Sequence, residues 1–311
     1  MNILELDLSQ KQINKIGKNF RDSVFEKEDI QFLEEYRKNF DNILINLSNE
    51  VSKSIKETLQ KFVLVGRLKR IYSIIRKLQR KNNYGMDLTR MSDIAGIRVI
   101  VKNIEDQEKV LENLKKNFKV EKIYDYRNDE KLYTSIHLII RDAENKLIEI
   151  QIRTLAQQTW ADESESFGEQ VKFGKYTADI EEYLRLLNAI TTEIDQTGKA
   201  PNKLLDHNYL YNLKSPIQGK FGRLSKFFDK FSNVENFSPK YYLVVFDSID
   251  NSLVSEDIFS IKQKEDIFNL YKYKTKILNE DRFEIVFFIS TLGKEVLRIS
   301  HPRFYAGNQY V

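Results

Sequence analysis

Apolar positions between residues 27 and 60 recur at three- and four-residue steps: Phe32, Leu33, Tyr36, Phe40, Ile43, Leu44, Leu47, Val51 and Ile55. That spacing predicts helix with one packing face. Phe62–Val65 is a short apolar run of the kind that forms a buried strand; Gly66 follows, and helical spacing resumes from about Lys69 to Lys81. A turn or short helix at Thr89–Asp93 leads into a second strand, Ile97–Val101, and Asp106–Asn117 is again helical through Val110, Leu111 and Leu114. Three strands are predicted next, Lys119–Tyr126, Tyr133–Arg141 and Lys146–Thr154, the last two joined as a hairpin by Asp142–Asn145. Helices at about Leu155–Phe167 and Ala178–Asp195 close this part of the chain.

The clearest alternation lies in Leu147–Trp160, LIEIQIRTLAQQTW, where Ile148, Ile150 and Ile152 take one face and Glu149, Gln151 and Arg153 the other. A solvated sheet face has the same pattern, so its meaning depends on what other segments bring to it. Residues 196–202, QTGKAPN, have the composition of a linker. Beyond them the pattern restarts with a helix at Phe221–Phe231, a strand at Tyr241–Phe246, a helix at Gln263–Leu278, a strand at Phe283–Ile289 and a short third strand at Val296–Ile299. The chain thus divides into residues 1–195, a linker at 196–202 and a smaller C-terminal α+β domain at 203–311 whose role the pattern leaves open. Its aromatic-rich end, HPRFYAGNQYV, is read as docked on the fold, with an interaction surface or ligand lid as the alternative.

At 311 residues the chain is long enough for about two cores. Hydrophobic residues at 41% and charged residues at 31% describe an ordinary water-soluble composition, and a net charge of +4 is too small to single out a polyanion partner. The absence of cysteine excludes disulfides and thiolate metal sites and is compatible with a reducing compartment. MNILELDLSQ lacks the charged-then-apolar signature of a signal peptide, and no apolar run approaches the about 18 residues that span a membrane, so the expected location is the cytoplasm.

Three constellations could supply partners to the polar row of Leu147–Trp160. Lys61–Lys81 holds eight Lys/Arg and no acid, with Arg67 and Lys69 at a strand-to-helix junction. Ser73 and Lys77 continue from Lys69 at four-residue steps, and Gly66 permits close backbone approach. Cations and a hydroxyl near a helix N-terminus suit a polyphosphate, although a solvated helix face is the plainer reading and no GxxxxGKS/T phosphate loop occurs. Asp93, just before a buried strand, is placed as a Mg²⁺ ligand would be, or as a turn residue. Tyr133, Ser135 and His137 would share one strand face, where a tyrosine can stack on a base and a histidine can meet a phosphate; an exposed Tyr/His pair is the alternative.

GRLKRIYSIIRKL, DIAGIR, YTSIH and EIQIRTLAQQTWAD, in that order, resemble the synthetase domain of the RelA/SpoT family, which makes the alarmones pppGpp and ppGpp. The resemblance runs from about Val63 to Phe173. It implies a nucleotidyltransferase-like mixed β-sheet flanked by helices, and transfer of the β,γ-pyrophosphate of ATP to the ribose 3′-hydroxyl of GTP or GDP, with Mg²⁺. Carried over by position, Arg67, Lys69, Ser73, Lys77 and Arg98 match ATP-binding residues, and Asp93 and Glu149 the catalytic, metal-holding carboxylates. Tyr133 matches the tyrosine that stacks on the acceptor base and His137 the histidine behind it, with Gln151 and Arg153 following Glu149 on the acceptor face.

The segment differs from the family in places. Asp125–Tyr133 is shorter than the family's acceptor loop and lacks its Gly and Pro, and Ser164 and Glu165 stand where a histidine usually follows Trp160. No histidine precedes His137, so the metal site of the family's hydrolase half is absent and no alarmone hydrolysis is expected. A synthetase region with an unrelated extension also resembles toxic small alarmone synthetases of toxin–antitoxin and phage-defence systems, some of which pyrophosphorylate the 3′ end of tRNA. That alternative makes the C-terminal domain a regulator that binds a protein or ligand. A nucleotide sensor without turnover is the third reading, and by analogy with the family the chain could form a homo-oligomer.

Overall fold

The computed structural model describes residues 9–80, 85–127, 132–167, 177–198, 220–230, 239–291, 293 and 295–305. Three helices come first. Helix α1 (Gln10–Arg21), which the apolar pattern does not announce, starts at a capping box in which the Ser9 side chain accepts from the Gln12 amide. The long apolar stripe from residue 27 forms two helices rather than one, α2 (Lys27–Lys38) and α3 (Asp41–Lys56). The break falls where the Tyr36 and Phe40 rings meet edge to face at 5.4 Å and where Tyr241 Oη donates to buried Asp41 at 2.7 Å.

Strand β1 (Val63–Leu68) and helix α4 (Ile71–Leu78) follow, then β2 (Ala95–Val101), α5 (Ile104–Asn117), β3 (Val120–Asp125), β4 (Ile136–Arg141) and β5 (Leu147–Thr154). Helix α6 (Leu155–Ser166) begins directly at the end of β5, capped by Thr154, whose hydroxyl accepts from the Gln157 amide while the Gln157 side chain returns to the Thr154 amide. Helix α7 (Ala178–Thr197) packs on α6 through Trp160, Leu184, Leu187, Ile190 and Ile194. Residues 220–230 form helix α8. Then come β6 (Lys240–Asp247), β7 (Ser252–Ser260), α9 (Lys264–Ile277), β8 (Phe283–Ser290), α10 (Glu295–Ser300) and a 3-10 turn at Pro302–Tyr305.

All eight strands belong to one mixed sheet in the order β3-β4-β5-β2-β1-β8-β6-β7. Only β2 and β5 run parallel; the other neighbours are antiparallel. The α+β class with a mixed sheet flanked by helices is therefore the observed architecture. The C-terminal segment is α+β as its pattern indicates, but its strands continue the same sheet: β8 pairs with β1 through Gly66↔Ile289, Arg67↔Phe288 and Leu68↔Phe287. That pairing covers a β1 edge that would otherwise carry unpaired backbone groups. One apolar cluster runs from Leu33 and Leu44 through Val65, Val99 and Ile150 to Phe287, Val296 and Phe304. Of the segment read as a linker, helix α7 reaches Thr197, and residues 199–202 lie outside the described residues.

Two other expectations change. Val296–Ile299 is helical within α10, a run of four apolar residues being too short to distinguish strand from helix. The strand pattern also passes over β7, which lies between the predicted Tyr241–Phe246 strand and Gln263–Leu278 helix and is a sheet edge with Val254 and Ile258 left 53% and 44% exposed. Among the described residues no helix is long and apolar enough to cross a membrane.

Candidate active site

Side chains of residues paired across neighbouring strands point to the same side of a sheet. The pairings Arg67↔Gly96, Gly96↔Glu149, Arg98↔Gln151 and His137↔Gln151 therefore set Arg67, Arg98, Glu149, Gln151 and His137 on one face, with Arg153 two residues beyond Gln151. The polar row of β5 is thus not a solvated surface. It is covered in part by α6 and by the chain from α10 to Tyr305, and Arg153 and His137 are buried.

At the rim of this face the strand-to-helix junction and the turn before β2 converge. Lys69 Nζ lies 3.1 Å from Asp93 Oδ2 and Lys77 Nζ 2.8 Å from the same oxygen. Lys69, which precedes helix α4, and Lys77 within it thus meet at Asp93. Burial works against ionisation of Asp93, yet the two ammonium groups overcome it and hold the carboxyl below the ordinary carboxylate range. Asp93 Oδ1 is buried with no hydrogen-bond partner. Gly66 does allow close approach, but of helix α3: a Cβ there would lie 3.1 Å from Leu44 Cγ and 3.2 Å from Ser48 Oγ. Ser73 stands apart from the Lys69–Lys77–Asp93 group in its contacts and lines a cleft with Arg70, Tyr72, Arg76 and Glu280.

Glu149 is held on both carboxylate oxygens, Oε1 by His137 Nδ1 at 3.0 Å and Oε2 by Gln151 Nε2 at 2.7 Å. Since a carboxylate only accepts, Nδ1 of His137 carries the proton in this contact. Burial opposes the charge on each partner, but their mutual attraction prevails: Glu149 is held below its usual range, and His137 is raised above its own by Tyr133 and Glu149. Asp93 is near enough to Glu149 for their like charges to act on each other.

Tyr133 precedes β4 and is not on its face with His137, because the strand starts only at Ile136. The two still meet, Tyr133 Oη lying 2.7 Å from His137 Nε2. Ser135 turns away and donates to the Ile152 carbonyl at 3.3 Å. The Tyr133 ring packs edge-on against Trp160 at 5.8 Å and against Tyr126 at 5.6 Å, and Tyr126 in turn stacks on Tyr124 at 6.0 Å. Residues 128–131 of the shortened acceptor loop lie outside the described residues.

From Tyr133 the hydrogen bonds run on without a gap. Arg153 Nη2 donates to Tyr133 Oη at 2.8 Å and Arg153 Nη1 to Gln158 Oε1 at 3.0 Å; Gln158 Nε2 donates to the Ser300 carbonyl at 3.0 Å, and Arg98 Nη1 to the same carbonyl at 2.7 Å. One chain of contacts thus joins Glu149 to Arg98. Arg67 in turn is close enough to Lys69 for their like charges to act on each other. Burial lowers the pKa of Arg98 and of Arg67, Arg153 adds to the effect at Arg98, and Glu165 counteracts it at both. Glu165 thus acts on both arginines and lies 3.7 Å from Arg303 Nε.

Gln158, Ser300 and His301 were not singled out by sequence. Gln158 has a signal in hindsight, one α-helical turn after Thr154 on a capped helix that leaves the polar strand. Arg37 is also absent from that reading. It is 1% exposed, donates from Nε to the Lys69 carbonyl at 2.6 Å, and lies 4.4 Å over the Tyr271 ring.

A Mg²⁺ ion fits the donor set in kind: hard carboxylate oxygens, one of them the unpartnered Oδ1 of Asp93, with Glu149 nearby. Among the described residues no three His, Asp or Glu groups cluster as a self-sufficient metal site. Such an ion would depend on ligand oxygens to complete its shell.

Residues 66–168 match the family model described as the region found in RelA/SpoT proteins. Among curated proteins, the GTP pyrophosphokinase YjbM of Bacillus subtilis is 34% identical over 134 residues, 40% of this chain and 61% of that protein. The GTP pyrophosphokinase of Haemophilus influenzae is 30% identical over 128 residues, 40% of this chain and 17% of that protein. The chain therefore spans less than two thirds of the length of either. Among solved structures, small alarmone synthetase 1 of Bacillus subtilis bound to its product pppGpp is 27% identical, covering 55% of this chain and 94% of that one with a TM-score of 0.45.

Proposed function

We propose that the chain, whose residues 66–168 match the region found in RelA/SpoT proteins, is an ATP-dependent pyrophosphokinase acting on the ribose 3′-hydroxyl of GTP or GDP. The observation that carries this reading is the convergence of Lys69 and Lys77 on Asp93 beside a Glu149 carboxylate held on both oxygens. Pyrophosphoryl transfer is mainly positioning and charge neutralisation. The 3′-oxygen attacks the β-phosphorus of ATP, the bond from that phosphorus to the bridging α–β oxygen breaks, and AMP leaves. The hydroxyl proton passes to Glu149, which His137 and Gln151 orient without blocking every lone pair. Lys69 and Lys77 take the donor phosphates, and Tyr133 offers its ring to the acceptor base. Asp93 and Glu149 would hold Mg²⁺, which supplies neutralisation of the polyphosphate charge when bound.

A second acceptor class is favoured by one observation. The stacked, partly exposed rings of Tyr124 and Tyr126 continue outward from Tyr133, with Lys122 Nζ 4.4 Å over the Tyr124 ring. Such a track could stack additional bases, as the 3′ end of a tRNA would provide.

The test is incubation of the protein with γ-labelled ATP and GTP, GDP or bulk tRNA. Label in pppGpp or ppGpp supports the first reading, label in tRNA the second, and binding without transfer would leave a nucleotide sensor. Glu149→Gln or Asp93→Asn should lower transfer by at least about 10²-fold with the fold retained. Folded variants with near-wild-type transfer would refute the site.

A further inference from the structure

Arg98 is held by a part of the chain some 200 residues away. Its Nη1 donates to the Ser300 carbonyl at 2.7 Å and lies 3.2 Å from His301 Nε2. The acceptor role fixes His301 with its proton on Nδ1, which lies 3.0 Å from Ser300 Oγ. The His301 ring is parallel to that of Phe304, and its centroid is 4.4 Å from that of Phe288, the residue two strands along from Arg98 on the same face. Both Ser300 and His301 are buried.

The chemistry of these acceptors is what makes the contact informative. A buried charge is ordinarily paired with an opposite one. Arg98 is given a carbonyl and a neutral imidazole instead, which orient the guanidinium but leave its charge in place. Among the charges around it Arg153 acts against the guanidinium's charge, Glu165 next in its favour, and Arg67 then against it. Glu284, which also acts on Arg67, is bonded to Arg303 at 2.9 and 2.6 Å. A planar cation fixed in direction by neutral acceptors is prepared for an anionic or π-rich ligand.

We propose that Ser300 and His301 are positioning residues which set Arg98 to bind the donor nucleotide, so that the C-terminal segment completes the ATP site. This rests on the pyrophosphokinase reading. It makes the extension part of the donor pocket, not a separate module resting beside it. The opposite role, a plug that keeps ATP away from Arg98, predicts the opposite change in affinity.

The test uses the full chain with His301→Phe, which keeps an aromatic ring against Phe288 and Phe304 but removes the acceptor, and His301→Gln, which restores one. Binding of the non-hydrolysable donor analogue α,β-methylene-ATP is measured by calorimetry, with GDP binding and melting temperature as controls. His301→Phe should weaken analogue binding about 10-fold and raise the KM for ATP with little change in kcat, while GDP affinity and melting hold; His301→Gln should recover much of the loss. A purely structural role would move melting and both ligands together, and that result overturns the proposal. Unchanged analogue affinity also overturns it, and tighter binding overturns it in favour of a plug. If the wild-type chain binds the analogue in this His301-dependent way yet transfers no label to any acceptor, the reaction assigned above fails while the role of Ser300 and His301 stands.

Discussion

Asp195 offers a sharp test of how the fold under β5 is held. It lies near the C-terminus of α7 and accepts from Thr154 Oγ1 at 2.9 Å, the hydroxyl that also caps α6 at the end of the Glu149 strand. Among the described residues no cation pairs with it: burial raises its pKa from 3.8 to about 7, and the Thr154 hydrogen bond works the other way. The folded state therefore holds the Asp195 proton more tightly than the unfolded chain. Stability from this group is fully present below the unfolded value and is lost as pH rises toward 7. Three units at 1.36 kcal/mol each set a ceiling of about 4 kcal/mol, and partial exposure of the side chain reduces this to about 2 kcal/mol. Asp195→Asn keeps an acceptor for the Thr154 hydroxyl and removes the titration. Urea unfolding of both proteins from pH 4 to 8 should give coincident stabilities near pH 4 and an advantage for the variant of about 2 kcal/mol at pH 8. Other carboxylates titrate over the same range, but they are common to both proteins and cancel in the difference. A difference that does not change with pH, or a variant less stable at pH 8, would refute the argument.

Two further substitutions probe the supports of the site. Arg37→Met removes the donor that pins the Lys69 carbonyl inside a cage with Tyr271 and Phe287; it should cost about 1–3 kcal/mol in urea unfolding, because the carbonyl is left buried and unpaired, and a loss below about 0.5 kcal/mol would show that the contact carries little. Gly17→Ala would put a Cβ 2.8 Å from Leu88 Cβ, in the turn that leads to Asp93; overpacking there should cost about 1–3 kcal/mol, and a variant as stable as wild type would show that α1 can shift freely on that turn.

The legible part of the site is the part encoded at short range. The position of Asp93 before a buried strand and the alternation that sets Glu149 on one face with Gln151 follow from local periodicity, whereas Lys69 lies ahead of the helix that carries Ser73 and Lys77 and meets Lys77 only through Asp93. What the pattern could not supply was pairing between distant segments. Phe283–Ile289 reads as a strand of some sheet, but nothing in its composition says that its neighbour is β1. The contacts of Arg98 with Ser300 and His301 depend on that pairing and were invisible for the same reason. Tyr133 was misplaced on the strand because its alternation with Ser135 and His137 extends three residues ahead of β4, where the chain is already irregular. The contact with His137 survives because a tyrosine is long enough to reach Nε2 from outside the strand.

The state of Asp93 bears on how donor and cation would be taken up. Two ammonium groups on one oxygen stabilise the carboxylate, yet Oδ1 is left buried and unpartnered. On the pyrophosphokinase reading, a polyphosphate competes for the same two lysines. Every lysine drawn to phosphate leaves Asp93 less compensated, with the like charge of Glu149 close by. An uncompensated half-buried carboxylate pair is costly. Arrival of the donor phosphates therefore raises the affinity of the carboxylates for a replacement cation, and by reciprocity that cation raises the affinity of the lysines for phosphate. The coupling needs no movement of the sheet, only an exchange of partners at the ends of Lys69 and Lys77. On the same reading two carboxylates would suffice, because Lys69 and Lys77 neutralise Asp93 until a donor polyphosphate draws them away.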